Sequence, residues 1–320
     1  MSLPLSDSHA PHPGRIPFHQ MPSTTIPRET LLHVVKTMPA APRILSRLGK
    51  MTIDPTVDLE DVIALLKCDA SLTARIIRVA NSPYYSAGSE YASIEEALAR
   101  VGMSEIYRLT GFAALLQTTD QDLRLYGISG SELRENSLVT ALISEALAKA
   151  SGADANEAYS AGLLRSIGKI ALDRLTYSAG LLRTRVDIDL KGAMNAAAHR
   201  VSYDLGPRGL LGEWESGLVG FCNCEAAAFI LTEWRFPDEM VGAIGNHYAP
   251  EKAPGGGAMA CVLNLAAGAA DRLGFGLAGE RPYWEPSPSK MELARVSEQE
   301  LDAASQEGRE RFLALHKADS

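Results

Sequence analysis

The sequence predicts an all-α protein, and three observations carry that prediction. Apolar residues recur at spacings of three and four from about residue 29 onward. Helix-opening signals of the Ser-x-x-Glu kind precede several of these stretches, and Gly or Pro follows them. The alternation of β-branched residues that a half-buried strand needs is missing.

Taken in order, residues 1–28 are rich in Pro, Ser and His without periodicity and are expected to form a disordered lead. Leu59, Val62, Ile63 and Leu66 define a helix after Asp58 as N-cap. Leu72, Ile76, Ile77, Val79 and Ala80 define the next, stopped at Asn81-Ser82-Pro83, because a proline disfavours helical geometry in the residue before it. Ser93 and Glu96 form a capping box for a helix through Ile94, Ala97, Leu98 and Val101, which ends at Gly102. Another helix runs from Met103 to about Gln117. The polar, glycine-containing stretch 118–130 is the expected joint between two helical subdomains, about 29–125 and 130–276.

A long helix from about Ser131 to Ala150 turns Leu138, Ala141, Leu142 and Leu147 inward and closes at Gly152, and a further helix spans Asn156 to Leu164. Residues 173–220 carry the weakest pattern, with Ala193 to Val201 read as helical. Helices resume at 224–234 and 238–247, and a flexible loop at 251–257 precedes a small-residue helix from Ala258 to Leu273. The Pro-rich segment 282–289 is expected to break the chain. Ser297 and Glu300 then cap a final amphipathic helix to about Leu315, within a C-terminal extension, 277–320.

Composition narrows the function. Apolar residues at 46% and charged residues at 22% suit an ordinary soluble globular protein. A net charge of -8 argues against a broad nucleic-acid or anionic-membrane surface, since phosphates need clustered Lys and Arg. No apolar run approaches the ~18–20 residues of a membrane helix, and the start lacks the apolar core of a secretory signal, so a cytoplasmic location is expected. Cys68, Cys222, Cys224 and Cys261 do not make a disulfide framework and read as free thiols. Phosphate-loop, dinucleotide and nucleophile-elbow motifs are missing, and Gly255-Gly256-Gly257 reads as a linker.

Four blocks in fixed order are more specific. They are CDASLTARIIRVANSPYYS (68–86) with SIEEALARVGMSEIYRL (93–109), ENSLVTALISEALA (135–148), AGLLRSIGKIAL (161–172), and GFCNCEAAAFILTEWRFPDEMVGAIGNHYAP (220–250). Together they resemble the HDOD, or HD-related output domain, family from about Met38 to Pro250, with weaker similarity to about Gly276. The resemblance implies an HD-like helical fold, placed here at 29–276, related to metal-dependent phosphohydrolases.

In HD-type relatives, the resemblance implies His at the position of Asn136, His-Asp at Arg165-Ser166, a His at Asn223 and His-His at Asn246-His247. Only His247 keeps a ligand type. Arg has no lone pair for a metal and a Ser hydroxyl is a poor ligand, so neither metal nor cofactor is expected. Asn136, Arg165, Ser166, Asn223, Asn246 and His247 are therefore candidates for lining a vestigial cleft. That lining is either plain polar packing or an anion site built on Arg165. A buried Arg165 needs a counter-charge, and the candidates are Glu135, beside Asn136 on the long helix, and Asp173, about two helical turns along. Asp69, Asn81 and Ser82 are expected to fix a turn through side-chain to backbone bonds. Glu95 and Glu96 suit a helix N-terminus.

The expectation is thus a bacterial-type, non-catalytic signalling adaptor that engages a protein partner, with self-association left open. A role in nucleotide second-messenger signalling is implied by the resemblance alone. The alternatives are a phosphohydrolase or phosphodiesterase with a relocated metal site, and a small anionic-ligand receptor.

Overall fold

In the computed structural model, residues 26–27, 29–54, 56–82, 90–178, 209–254 and 257–319 are described. The described residues are mostly helical, without a strand among them. An isolated bridge pairs Leu123 with Ile128. The first half holds α1 (Glu29–Thr37), α2 (Ala41–Ile53), α3 (Leu59–Lys67), α4 (Ala70–Ala80), α5 (Ile94–Val101) and α6 (Met103–Thr118). The second half holds α7 (Gly130–Ser151), α8 (Ala155–Leu164), α9 (Ile167–Ser178), α10 (Leu211–Val219), α11 (Asn223–Glu233), α12 (Asp238–Asn246), α13 (Ala258–Ala270), α14 (Pro288–Ala294) and α15 (Glu298–Asp319).

Local chemistry explains most boundaries. The Asp69 carboxylate accepts from Leu72 N to open α4, and Ser93 accepts from Glu96 N to open α5. Asn81 closes α4 and grips the returning chain: its Nδ2 donates to Tyr91 O (2.9 Å) while its Oδ1 accepts from Tyr91 N (2.6 Å). Asp69 and Asn81 thus make the side-chain to backbone bonds expected at this turn, whereas Ser82 does not: its Oγ is buried without a hydrogen-bonding partner among the described residues. Pro83 lies outside the described residues, as do the helix expected at 193–201 and nearly all of the N-terminal lead. Ile26, at the end of that lead, is buried and donates its N–H to Val219 O (3.0 Å).

Three expectations are corrected. The joint at 118–130 is less polar than its composition suggests, because Leu123, Leu125, Tyr126 and Ile128 all turn into the core. The helix expected to reach Leu273 ends at Ala270, where the chain loosens into a wider turn over Asp271–Phe275 around Gly274 (φ 92°). The Pro-rich segment does not simply break the chain. Ser287 accepts from Lys290 N and Pro288 occupies a first-turn position of α14, where a residue without an N–H loses nothing.

Helix α7 is buried on nearly every side, packed by α8, α13 and α15, so it lacks the single apolar stripe of a surface helix. The halves meet where α6 packs on α7 and α8, and where α1 reaches α9 and α11. One hydrophobic core runs through both, from Ile26 to Phe312. Two glycines bring the site elements together. A Cβ on Gly162 would stand 2.4 Å from Ala141 Cα of α7, and one on Gly168 would stand 1.8 Å from Asn223 O of α11. Backbone-to-backbone contact at both points fixes the α8–α9 corner that carries Arg165.

Candidate functional site

Arg165 sits at that corner, and Lys169 follows one turn later on α9. Both are fully buried. An unpaired buried cation costs several kcal/mol, so each needs an anion or a dense set of acceptors. The anion is Glu280. Its carboxylate takes Arg165 Nη1 (3.0 Å) and Nη2 (2.9 Å), Lys169 Nζ (2.5 Å) and the Tyr248 hydroxyl (2.9 Å). Burial alone would raise the Glu280 carboxyl, but the charges of Arg165 and Lys169 hold it well below the usual carboxylate range. Burial alone would lower the Arg165 guanidinium, and the Glu280 charge and hydrogen bonds outweigh it, leaving a permanent cation.

This answers the question of Arg165's partner and corrects the acids proposed for it. Asp173 instead accepts the Leu125 N–H (2.7 Å), which ties α9 to the joint. Nothing in the described contacts brings Glu135 to Arg165. Glu280 lies 115 residues from Arg165 along the chain, beyond the reach of any local pattern.

The network extends across the interior. Asn136 accepts from Arg165 Nη2 (2.6 Å) and donates to Phe275 O (2.5 Å). Lys169 donates to the Tyr248 hydroxyl (2.6 Å), as does Asn223 Nδ2 (3.2 Å). Asn223 also donates to Glu215 through its backbone (2.8 Å) and its amide (2.8 Å), and Glu215 accepts from the Tyr126 hydroxyl (2.7 Å). Burial raises Glu215 above the ordinary carboxylate value, with Lys169 and these hydrogen bonds opposing it in part. Burial and Glu280 push the Tyr248 hydroxyl far up, so it stays a neutral donor.

Aromatic rings roof the cluster. The Arg165 guanidinium lies 5.3 Å from the Trp284 ring centre, and Trp284 also stacks on His247 at 5.9 Å. Tyr248 stacks on Tyr283 at 3.9 Å with the rings nearly parallel. His247 is buried and neutral. Burial, then the Arg165 charge, pushes its imidazole down to about 3, and Nδ1 donates to Ile244 O (2.7 Å). Its Nε2 has no hydrogen-bonding partner among the described residues, nor has Ser166 Oγ.

Of the residues singled out in the sequence, Asn136, Arg165 and Asn223 join one network, and His247 lies at its roof. Asn246 does not: its amide returns to Gly242 O of its own helix (2.8 Å). Ser166 is buried beside Arg165 but makes no side-chain bond. Sequence reasoning passed over Lys169, Glu215, Tyr248 and Glu280. Lys169 carried a signal, because it stands within the AGLLRSIGKIAL block one helical turn from Arg165. Glu280 carried none.

A divalent metal needs several carboxylate, imidazole or thiolate ligands converging on one ion. Among the described residues no group of three or more His, Cys, Asp or Glu is so arranged. The ground between Asn136, Asn223 and His247 holds two cations instead. These residues do not fit the metal that the HD fold family implies.

The fold is all-helical, with a polar cluster buried where α7, α9 and α11 meet. Residues 38–179 match the model of the HDOD domain family. An HDOD domain protein of unknown function from Geobacter sulfurreducens has the same fold, with a TM-score of 0.65, 22% identity, and coverage of 91% of this chain and 95% of that one. A provisionally named phosphohydrolase from Shewanella amazonensis SB2B gives 0.59 at 23% identity, covering 89% and 97%. A provisionally named signal transduction protein from Marinobacter aquaeolei VT8 gives 0.60 at 17%, covering 91% and 64%. An uncharacterized protein of Treponema pallidum (strain Nichols) is 24% identical over 282 residues, 85% of this chain. The chain spans about half (49%) of that relative's length.

Proposed function

We propose that this HDOD domain acts in signal transduction as a non-catalytic adaptor that engages a protein partner through its helical surfaces. One observation carries the reading: Arg165 and Lys169 are both paired inside the protein with Glu280. A hydrolytic centre needs an open position for water and a Lewis acid or a poised base. Here the candidate cleft is filled by a side chain of the same chain, roofed by Trp284, and its imidazole is locked neutral with Nδ1 committed to Ile244. A pre-paired, fully buried network of this kind rigidifies a scaffold.

Elemental analysis of protein purified without chelator, together with assays on cyclic dinucleotides and phosphomonoesters, tests the reading. The expected result is sub-stoichiometric metal and background hydrolysis that survives Arg165→Ala and His247→Ala. Stoichiometric manganese, iron or zinc, or turnover abolished by either substitution, overturns it in favour of a phosphohydrolase.

One observation favours a second reading, a receptor for a small anion. Four donors converge on the Glu280 carboxylate, a geometry that also suits a phosphate. Saturable binding of inorganic phosphate to the native chain, lost in Arg165→Ala, would select this reading over the adaptor.

A further inference from the structure

We propose that the cleft between the end of α13 and helix α15 binds a free acidic amino acid, a molecule with two carboxylates and one ammonium group. The inference is independent of the adaptor reading. It rests on a cavity of about 290 Å³. Arg272 and Leu273 line one wall, and Asp302, Ser305, Gln306 and Arg309 line the other.

Both walls are fixed from behind. The wider turn over Asp271–Phe275 carries Arg272 at the surface. Its Phe275 carbonyl accepts from Asn136 Nδ2 (2.5 Å), the Phe275 ring meets Phe312 edge-on at 4.8 Å, and Asp271 accepts from Arg281 Nε (3.1 Å). On α15, residues 302, 305, 306 and 309 share one face because they recur at spacings of three and four. Another face of that helix lies on α7, where Gly308 meets Ile143 and Arg311 reaches Glu145 (3.0 Å). A cleft whose walls are already positioned loses little ordering entropy when a ligand enters.

The charges in the cleft are uncommitted. Arg272, Arg309 and Asp302 are exposed, and among the described residues their side chains make no ion pair or hydrogen bond. Their own neighbourhoods offer none, because no opposite charge stands three or four positions from any of the three. A guanidinium is a planar fork that takes a carboxylate bidentately, so two of them suit two carboxylates. Asp302 adds one acceptor of negative charge, which repels a further anion and suits an ammonium. An acidic α-amino acid carries that complement, two negative groups and one positive, and leaves no charge in the cleft without a partner. A phosphate would answer the arginines but set an anion against Asp302. The modest volume also suits a small molecule, with Ala269 and Leu273 as an apolar wall for its methylene groups.

The test is isothermal titration calorimetry of the full-length chain with L-glutamate, L-aspartate, their matching diacids glutarate and succinate, and inorganic phosphate. The expected result is saturable binding of at least one amino acid, with its diacid, which lacks the ammonium, weaker by at least about tenfold. Arg272→Ala and Arg309→Ala change exposed side chains and should keep the helical circular dichroism, while each weakens the amino acid by at least about tenfold. Asp302→Asn should weaken the amino acid and leave the diacid as tight or tighter, a reversal that a loss of packing would not produce. Saturable binding of neither amino acid overturns the proposal, as does binding that survives both arginine substitutions. So does an Asp302→Asn effect that is equal for amino acid and diacid. Phosphate binding that depends on Arg272 and Arg309 and exceeds that of both amino acids overturns it as well.

Discussion

Glu280 has unusual leverage for a single side chain because the next residue is at the surface. The Arg281 side chain is 82% exposed, whereas Glu280 is fully buried and answers two cations. Replacing it with the isosteric Gln keeps the volume and removes the charge. Breaking a buried ion pair from one side costs about 3–5 kcal/mol. Glu280→Gln should lose that much in urea unfolding at pH 7, while the exposed Glu298→Gln should change little. The sign with pH follows from the depressed carboxyl. Its contribution is complete above the unfolded carboxylate value of about 4.3 and drains away as pH falls toward the folded value, so the gap between wild type and Glu280→Gln should narrow on acidification.

Glu157 behaves in the opposite way. Burial first, then the neighbouring Glu239 and Asp154 carboxylates, push it up to about 7. A raised carboxyl contributes stability below its unfolded value, and that stability is lost as pH rises through about 7. Glu157→Gln should therefore stabilise the protein at pH 8 by about 1–2 kcal/mol after solvent screening, with a much smaller gain at pH 5. Equal gains at the two pH values would locate the effect in packing instead of charge.

At the scale of elements, the corner between α8 and α9 depends on Gly168, whose missing side chain lets α9 lie against the backbone of α11. Gly168→Ala forces that backbone apart and should cost at least the ~1–3 kcal/mol of ordinary overpacking. A melting temperature matching wild type would show that α9 and α11 can separate freely. How far the elements were legible follows the same logic of local against distant causes. The caps at Asp69, Ser93 and Ser297 are written in three or four consecutive residues, and the helices they open fall where the sequence placed them. The capping box of Ser129 with Glu132 was equally local but hidden in a stretch read as a joint. Helix α14 escaped because Pro-rich composition reads as a breaker unless the proline falls in the first turn. In the site, Asn136, Arg165 and Asn223 were legible only through the resemblance, as the positions where HD-type relatives carry metal ligands. Glu280 was not, since its partner lies on the far side of the chain and an exposed Arg follows it.

For the molecule as a whole, two ion clusters tie the C-terminal region to the body. Glu280 reaches α9, and Arg311 of α15 reaches Glu145 of α7 (3.0 Å), where Arg108 (2.6 Å) and Lys149 (2.8 Å) also converge. Burial alone would raise Glu145, but Lys149, Arg311 and Arg108 hold it below its ordinary value. The apolar core is likewise continuous, so neither half of the chain can lose its partner without exposing buried surface and stranding charges. Cooperative unfolding follows when the free energy of separating parts is comparable to that of unfolding them. The three tryptophans are buried at separate places: Trp214 in α10, Trp234 just after α11, and Trp284 over Arg165. Their fluorescence and the far-ultraviolet circular dichroism of the helices should change together in a single urea transition. In Arg311→Ala, which leaves Glu145 two cations, the two curves should shift together by about 1–2 kcal/mol. A helical signal lost before the fluorescence would mean that α15 unfolds on its own, and that the C-terminal ties do not bind the molecule into one cooperative unit.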